Sequence, residues 1–130
     1  MKNHQLTPDE LCKKGEALAG KILKKKGYKI LKRNYVSKYG KIDIVAYDNG
    51  IICFVEVKTR QSENYGPPEL AVTKEKRKRI VRTALNYLMI NNIEDTDCRF
   101  DVVSILYKED VNKPDIELLE SAFTADGIVS

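Results

Sequence analysis

Two acidic residues, Asp43 and Glu56, flank a predicted hairpin turn and could together bind a divalent cation. The runs 42–48 and 51–58 favour β-strands, and the Asn49-Gly50 dipeptide between them is a strong hairpin signal. With a two-residue type I′ turn, the numbers of paired residues sum to 99, so Asp43 faces Glu56. Like charges opposed at a Cβ separation of about 5 Å repel each other. The pair therefore predicts a site for a cation such as Mg²⁺, which prefers oxygen ligands.

Lys58 adds a third charged group to the predicted site. Side chains alternate along a strand, so Lys58 projects from the same face as Glu56, whereas Val57 and Thr59 project from the other. The run 51–55 is nearly all apolar, which is typical of a strand covered on both faces, so the carboxylates at its end should be partly buried. The alternative is a solvated sheet edge on which Lys58 and Glu56 form a surface ion pair.

A helix that precedes these strands carries a further acidic residue, Glu16. Thr7 and Pro8 predict the helix start, with Glu10 completing a capping box. Its apolar stripe is predicted to comprise Leu11, Gly15, Leu18 and Ile22, and Gly27 ends it. Glu16 lies on a flank of that stripe with Cys12 and Ala19, where a side chain looks either into a cleft or into solvent.

The remaining elements predict an α/β fold. Tyr28 to Tyr35 forms a first strand, and a loop from Gln61 to Val72 contains Gly66-Pro67-Pro68. A long helix follows from Thr73 to Asn91, and its core stripe is predicted to be Ile80, Val81, Ala84, Leu85 and Leu88. Arg99 to Tyr107 and Ile116 to Ser121 are two more strands. The order αβββαββ in 130 residues predicts one domain, an α/β sandwich with a central mixed sheet flanked by helices.

Charge is divided sharply along the chain. Residues 1–93 carry 20 Lys/Arg against 9 Asp/Glu, whereas residues 94–130 carry 3 against 10. One basic cluster lies between residues 17 and 42 and includes Arg33 and Lys41. The acidic end is interpreted either as a sheet edge protected by charge or as a partner for the basic face of a second copy.

A second basic cluster occupies the first turns of the long helix, at Lys74, Lys76, Arg77, Lys78, Arg79 and Arg82. Cations at a helix N-terminus oppose the helix dipole unless an anion binds there. The clusters favour a nucleic-acid backbone, with a solvated helix face as the alternative. Tyr35, Tyr39 and Tyr65 could stack on unpaired bases or pack at the rim of the core.

Several strings in the chain resemble the YraN-like family of endonucleases, within the PD-(D/E)XK nuclease superfamily and related to archaeal Holliday-junction resolvases. The resemblance covers most of the chain. It is carried by Gly15-Glu16-Ala17, Gly27 to Leu31, Arg33-Asn34, Gly40 to Ala46, Phe54 to Arg60, Ala71-Val72 and Arg99 to Val103.

The resemblance implies a restriction-endonuclease-like α/β core and assigns roles to four residues. Asp43 and Glu56 correspond to the metal ligands, Glu16 to the helix carboxylate that assists them, and Lys58 to the motif lysine. One departure is that Lys41 stands where the family usually carries Glu. In the predicted register Lys41 lies opposite Lys58, so a second cation replaces an acidic neighbour.

Other classes of protein are disfavoured by the sequence. No stretch approaches the roughly 18 to 20 apolar residues of a membrane span, and the N-terminus lacks the apolar region of a signal peptide, so a cytoplasmic location is expected. Cys12, Cys53 and Cys98 are odd in number and widely spaced, and only one His is present, so neither a disulfide framework nor a zinc site is indicated.

The sequence thus predicts a Mg²⁺- or Mn²⁺-dependent endonuclease acting on DNA, including branched or structured DNA. Arg60, on the Lys58 face, and the basic helix at Lys74, Lys76, Arg77 and Arg79 are predicted to contact phosphate, together with Arg33 and Lys41. The main alternative is a nucleic-acid-binding module that kept the fold and lost hydrolysis, for which Lys41 is the best argument. A protein-interaction domain acting through the acidic C-terminal segment is a third hypothesis. A homodimer is compatible with each.

Overall fold

A computed structural model of the protein describes residues 6–61, 72–108 and 112–125. Within these ranges, five strands form one sheet in the order β1-β2-β3-β4-β5, flanked by two helices. The elements are α1 (Pro8–Lys25), β1 (Lys29–Ser37), β2 (Gly40–Asp48), β3 (Ile51–Arg60), α2 (Lys74–Ile90), β4 (Asp97–Leu106) and β5 (Asp115–Phe123). This confirms the predicted order and the mixed sheet, and it is the arrangement of a restriction-endonuclease-like fold.

The one parallel pair in the sheet joins β3 to β4, and the other neighbouring strands are antiparallel. A parallel pair needs a crossover connection, which α2 provides. Each helix covers one face of the sheet and each face has its own apolar core. Ile80, Val81, Ala84 and Tyr87 of α2 pack in the first core, and Leu11, Ala19 and Leu23 of α1 pack in the second.

The predicted start and end of α1 are confirmed. Thr7 accepts a hydrogen bond from the Glu10 N–H (3.1 Å), and Glu10 accepts one from the Thr7 N–H (2.9 Å), which completes the capping box. At the other end Gly27 has φ +97°, and Tyr28 N–H donates to the Leu23 carbonyl at 2.9 Å. These are the features of a Schellman motif, which satisfies carbonyl groups at a helix end.

The predicted core stripes of both helices are partly wrong. In α1 the buried line runs through Leu11, Gly15, Ala19 and Leu23, while Leu18 and Ile22 are only half-buried. In α2 Leu85 is 46% exposed, and the buried positions include Thr83 and Tyr87 instead. Tyr87 packs edge-on against Tyr35 at a centroid distance of 5.1 Å, so the inward face of α2 includes an aromatic contact with β1.

In the part of the chain that the structure describes, no helix is long and apolar enough to cross a membrane. The predicted loop with Gly66-Pro67-Pro68, as well as Tyr65 and Ala71, lies outside the described residues. Of the other two tyrosines considered for base stacking, Tyr35 packs in the core beside Tyr87, and Tyr39 is exposed with the Lys38 ammonium 5.2 Å from its ring centroid.

Candidate active site

The hairpin between β2 and β3 has the predicted register. Asn49 and Gly50 both have positive φ, at 51° and 86°, as a type I′ turn requires. The pairs run from Asp48↔Ile51 to Ile44↔Val55, so every pair of numbers sums to 99. Asp43 and Glu56 are the next residues beyond the last pair. Asp43 Oδ2 accepts a hydrogen bond from the Val57 N–H at 2.8 Å, which joins its carboxylate to the strand that carries Glu56.

The regular alternation of β2 is interrupted around Asp43. Ile42 and Val45 both pack in the core beneath α2, whereas Ile44 packs in the core beneath α1. On β1 the pairing passes from Arg33↔Ile44 to Tyr35↔Ile42, and the residue between them, Asn34, has φ +52°. Positive φ is uncommon outside glycine, and asparagine is one of the residues that tolerate it. Asp43 therefore lies at an irregularity of the sheet, and both Asp43 and Asn34 line the cleft described below.

Asp43 and Glu56 form a buried carboxyl pair, each only 5% exposed. Burial and the neighbouring Asp43 raise the pKa of Glu56 to about 8. Burial opposes ionisation of Asp43 too, but hydrogen bonds from Glu56 and from the Val57 N–H, with Lys41 nearby, hold the pKa of Asp43 below its usual value. Opposite shifts in two adjacent carboxyl groups show that their ionisations are linked, and the neighbouring lysines, Lys41 at Asp43 and Lys76 at Glu56, favour the ionised form of each.

Lys41 bridges two acidic side chains at the cleft. Its Nζ lies 3.2 Å from Asp43 Oδ1 and 3.7 Å from Glu16 Oε2. Although burial works against the charge of Lys41, the negative charges of Asp43 and Glu16 hold the pKa of Lys41 above its usual value. The predicted pairing of Lys41 with Lys58 is wrong, because the ladder between β2 and β3 ends at Ile44↔Val55 and Lys41 contacts Asp43 and Glu16 instead. Lys41 thus ties α1 to β2 and brings Glu16 towards Asp43.

Lys58 and Lys76 lie on the other side of the carboxyl pair. Lys76, from the first turn of α2, forms an ion pair with Glu56 Oε2. Lys58 projects from β3 on the Glu56 face, and burial together with the neighbouring Lys76 lowers the pKa of Lys58. A lowered pKa makes the Lys58 amine easier to deprotonate, and perturbed lysines of this kind are common at functional sites.

One cleft of about 580 Å³ contains all four residues predicted to act in catalysis. It opens between the amino-terminal halves of the two helices. Its lining includes Glu16, Asp43, Glu56 and Lys58, together with Lys41, Lys76 and Arg79. Thr59 and Cys12 also line it, from the α1 side, where the Thr59 hydroxyl lies 3.7 Å from Cys12 Sγ.

The residues predicted to bind phosphate are distributed unevenly around this cleft. Lys41, Lys76 and Arg79 line it, and Lys74 is exposed on the same first turn of α2. Arg77 donates to the Val72 carbonyl at 3.0 Å and lies over the Phe123 ring, so it joins α2 to β5. These positions make the entrance of the cleft beside α2 its most basic side.

Arg33 and Arg60 lie outside the residues that line the cleft. The guanidinium of Arg33 lies against Gly20 of α1, so close that a Cβ at Gly20 would be 2.4 Å from Nη1. Arg60 is on the Lys58 face as predicted, and its Nη2 donates to Ser104 Oγ at 3.4 Å. Arg33 therefore contacts α1 and Arg60 contacts β4, so each side chain has a structural role in addition to the predicted contact with phosphate.

Sequence reasoning missed two features of the polar structure. The contact of Lys76 with Glu56 could not be predicted, because the sequence of a basic helix N-terminus is the same whether its lysines face solvent or a buried carboxylate. The second feature is Arg99, which pairs with Asp48 (3.2 Å), Asp101 (3.0 Å) and Glu120 (3.1 Å) at the opposite end of the sheet. Asp101 is fully buried, and an acidic residue between apolar ones in a central strand was the available signal for it.

The donor set suits a hard cation that keeps water ligands. Among residues 6–61, 72–108 and 112–125, no group of three or more His, Cys, Asp or Glu side chains is arranged to hold a metal. Two adjacent buried carboxylates are nevertheless what Mg²⁺ commonly receives from a protein, because waters and substrate phosphate complete its octahedron. Asp43 and Glu56 fit that pattern, with Glu16 farther out and tied to Lys41.

Comparison with known proteins places the chain in a family. The family model described as uncharacterised protein family UPF0102 matches residues 15–105, a span that contains every residue of the proposed catalytic set. A UPF0102 protein of Prosthecochloris aestuarii is 43% identical over 125 residues, covering 93% of this chain and 98% of the relative. One from Geobacter metallireducens is 48% identical over 113 residues, covering 87% and 91%. The chain belongs to the UPF0102 family, which is the YraN family that the sequence motifs predicted.

Proposed function

We propose that the protein is a Mg²⁺- or Mn²⁺-dependent endonuclease that hydrolyses phosphodiester bonds of DNA. The observation that carries the proposal is the buried Asp43–Glu56 pair, with Lys58 on the same strand face, in a cleft whose rim is basic. Burying two adjacent carboxylates lowers stability, so a functional role accounts for their presence better than folding does. A divalent cation and a phosphate together would neutralise the acidic floor and the basic rim.

In this mechanism Asp43 and Glu56 hold the metal, and the basic rim holds the DNA backbone. A bound metal supplies Lewis acidity, which polarises the scissile phosphate and lowers the pKa of a water. Lys58 holds the attacking water or opposes the negative charge that develops on the phosphate. Glu16 orients water through its place beside Lys41 and Asp43. The attacking water loses one proton to solvent as its oxygen bonds to phosphorus, the bond to the leaving oxygen breaks, and the leaving oxygen takes up one proton from solvent.

A nucleic-acid-binding protein without hydrolytic activity is the second candidate, and one observation favours it. Each of the two carboxylates already has a lysine partner, Lys41 on Asp43 and Lys76 on Glu56. These two ammonium groups would compete with a metal for the carboxylates and weaken its binding. A protein in which the lysines neutralise the carboxylates permanently would use its basic surface only to bind nucleic acid.

The test uses labelled four-way junction, flap, single-stranded and linear duplex DNA with Mg²⁺ or Mn²⁺. Wild type is compared with Glu56→Ala and with Glu75→Ala, an exposed glutamate of α2 that serves as a matched control. Cleavage that Glu56→Ala abolishes and Glu75→Ala retains supports the nuclease and identifies its substrate shape. Binding of DNA without cleavage, together with no metal-dependent rise in melting temperature, would instead support the second candidate.

A further inference from the structure

Lys76 has an unusual position at the start of α2. It occupies the third helical position after the N-cap Thr73, whose hydroxyl accepts its backbone N–H at 3.2 Å. In α1 the same position is Glu10, which closes the capping box and suits the positive end of the helix dipole. A lysine there gives up that stabilisation. What Lys76 gains is the ion pair with Glu56, a residue 5% exposed.

The site that Lys76 occupies is also the site that a metal on Glu56 would need. Lys76 contacts Glu56 Oε2 and lies close enough to Lys58 for the two ammonium groups to repel each other. A divalent cation beside Glu56 would add a further positive charge to this small region. The Lys76 side chain is 34% exposed at the edge of the cleft that Arg79 also lines, so it borders both Glu56 and the basic rim.

We infer that Lys76 is a phosphate contact that metal binding releases. In the metal-free protein it is the counter-ion of Glu56, and when a divalent cation takes over that carboxylate, Lys76 turns to the DNA backbone. The inference rests on the proposed function and deepens it, because it makes metal and DNA binding mutually favourable through one side chain. Such coupling is reciprocal by thermodynamic necessity.

The test compares Lys76→Met with Lys74→Met, an exposed lysine on the same turn of α2. Affinity for a short duplex is measured by fluorescence anisotropy in EDTA and in Mg²⁺ at 4 °C, and the DNA is checked for cleavage after each titration. Lys76→Met is expected to bind like wild type in EDTA and about fivefold more weakly in Mg²⁺, at the lower end of coupling between sites. Lys74→Met is expected to weaken binding equally in both.

A second variant keeps the inference falsifiable if Lys76→Met folds poorly. Glu56→Gln removes the charge that holds Lys76, so in EDTA it is expected to bind DNA about fivefold more tightly than wild type. Its plot of log affinity against log salt should steepen by about 0.9, the contribution of one further phosphate contact on duplex DNA. Adding Lys76→Met to Glu56→Gln should remove both gains.

Outcomes for the inference and for the proposed function can be separated. Mn²⁺ binding to wild type is measured directly from the electron paramagnetic resonance signal of the free ion. No Mn²⁺ binding would overturn the metal site and the inference together. Mn²⁺ binding with an effect of Lys76→Met on DNA affinity that is the same in EDTA and Mg²⁺, or absent in both, would overturn the release of Lys76 alone.

Discussion

Gly15 of α1 lies directly against Thr59 of β3. A Cβ at position 15 would stand 2.0 Å from Thr59 Cγ2, and the branched threonine has little freedom to move away. Gly15→Ala, which would favour an isolated helix, is therefore expected to lower the free energy of unfolding by about 1 to 3 kcal/mol. Chemical denaturation measures this change.

Relief of the same contact provides the control for that prediction. Thr59→Ser removes the methyl group, so the double variant with Gly15→Ala should recover most of the lost stability. Because Glu16 follows Gly15, the single variant should also displace Glu16 from Lys41. Equal destabilisation by Gly15→Ala in the presence of Thr and Ser at position 59 would contradict the steric explanation.

Stability should depend on pH through Glu56. Its pKa in the folded protein, about 8, lies above the usual 4.5 because of burial and Asp43, so the native state holds the proton more tightly than the unfolded chain. The stabilisation is complete below about pH 4.5 and is lost as pH rises through about 8. In EDTA at pH 8, Glu56→Gln is expected to be more stable than wild type by roughly 1 to 3 kcal/mol.

The difference between the two proteins should shrink as pH falls towards 4.5, since the wild-type carboxyl group is then protonated in both states. Thermal melts at several pH values measure it. A wild type that is the more stable protein at pH 8 in EDTA would show that the Lys76 ion pair outweighs the burial of Glu56.

The three cysteines should differ in reactivity. Cys12 is exposed in the cleft lining, Cys98 is exposed on β4, and Cys53 is buried, with burial and then Asp101 raising its pKa to about 12. At pH 8 a disulfide reagent should modify Cys12 rapidly and Cys98 more slowly, because neighbouring atoms partly desolvate the Cys98 thiol and, with Asp97, raise its pKa even though its surface is exposed. Cys53 should react only after denaturation. Counting released chromophore with and without guanidinium checks this, and three fast thiols in native protein would be the contrary result.

Arg99 should be essential for stability. It neutralises Asp101, which is fully buried and accepts a further hydrogen bond from the Ser121 N–H at 2.9 Å. Arg99→Met leaves a buried carboxylate without its cation and is expected to cost about 3 to 5 kcal/mol. The double variant Arg99→Met with Asp101→Asn should be more stable than Arg99→Met. Denaturation curves for the three proteins test the coupling, which additive effects would disprove.

Short-range signals in the sequence predicted the β2–β3 hairpin and the ends of α1. The buried faces of the helices depend on contacts between residues far apart in the sequence. The Asn49-Gly50 turn fixes the register of β2 and β3 from within, so Asp43 and Glu56 could be placed together. The inward face of α2 depends on Tyr35, which belongs to another element, and helical periodicity could not choose between Leu85 and Tyr87.

At the candidate site too, contacts within one strand could be predicted and contacts between elements could not. Lys58 and Glu56 share a strand and were predictable as neighbours, whereas Lys76 reaches Glu56 only because α2 packs on this face of the sheet. Likewise Lys41 finds Glu16 across the gap between β2 and α1. Pairings between elements depend on packing geometry that composition and spacing do not contain.

The strand order also separates charge in space. Basic β1 lies at one edge of the sheet and acidic β5 at the other, so the described strands place opposite charge at the two edges of the sheet. In the field of a polyanion such a molecule rotates before contact, and its basic side arrives first. The association rate with DNA should consequently fall more steeply with ionic strength than a net charge of +4 would produce, which stopped-flow measurements can show.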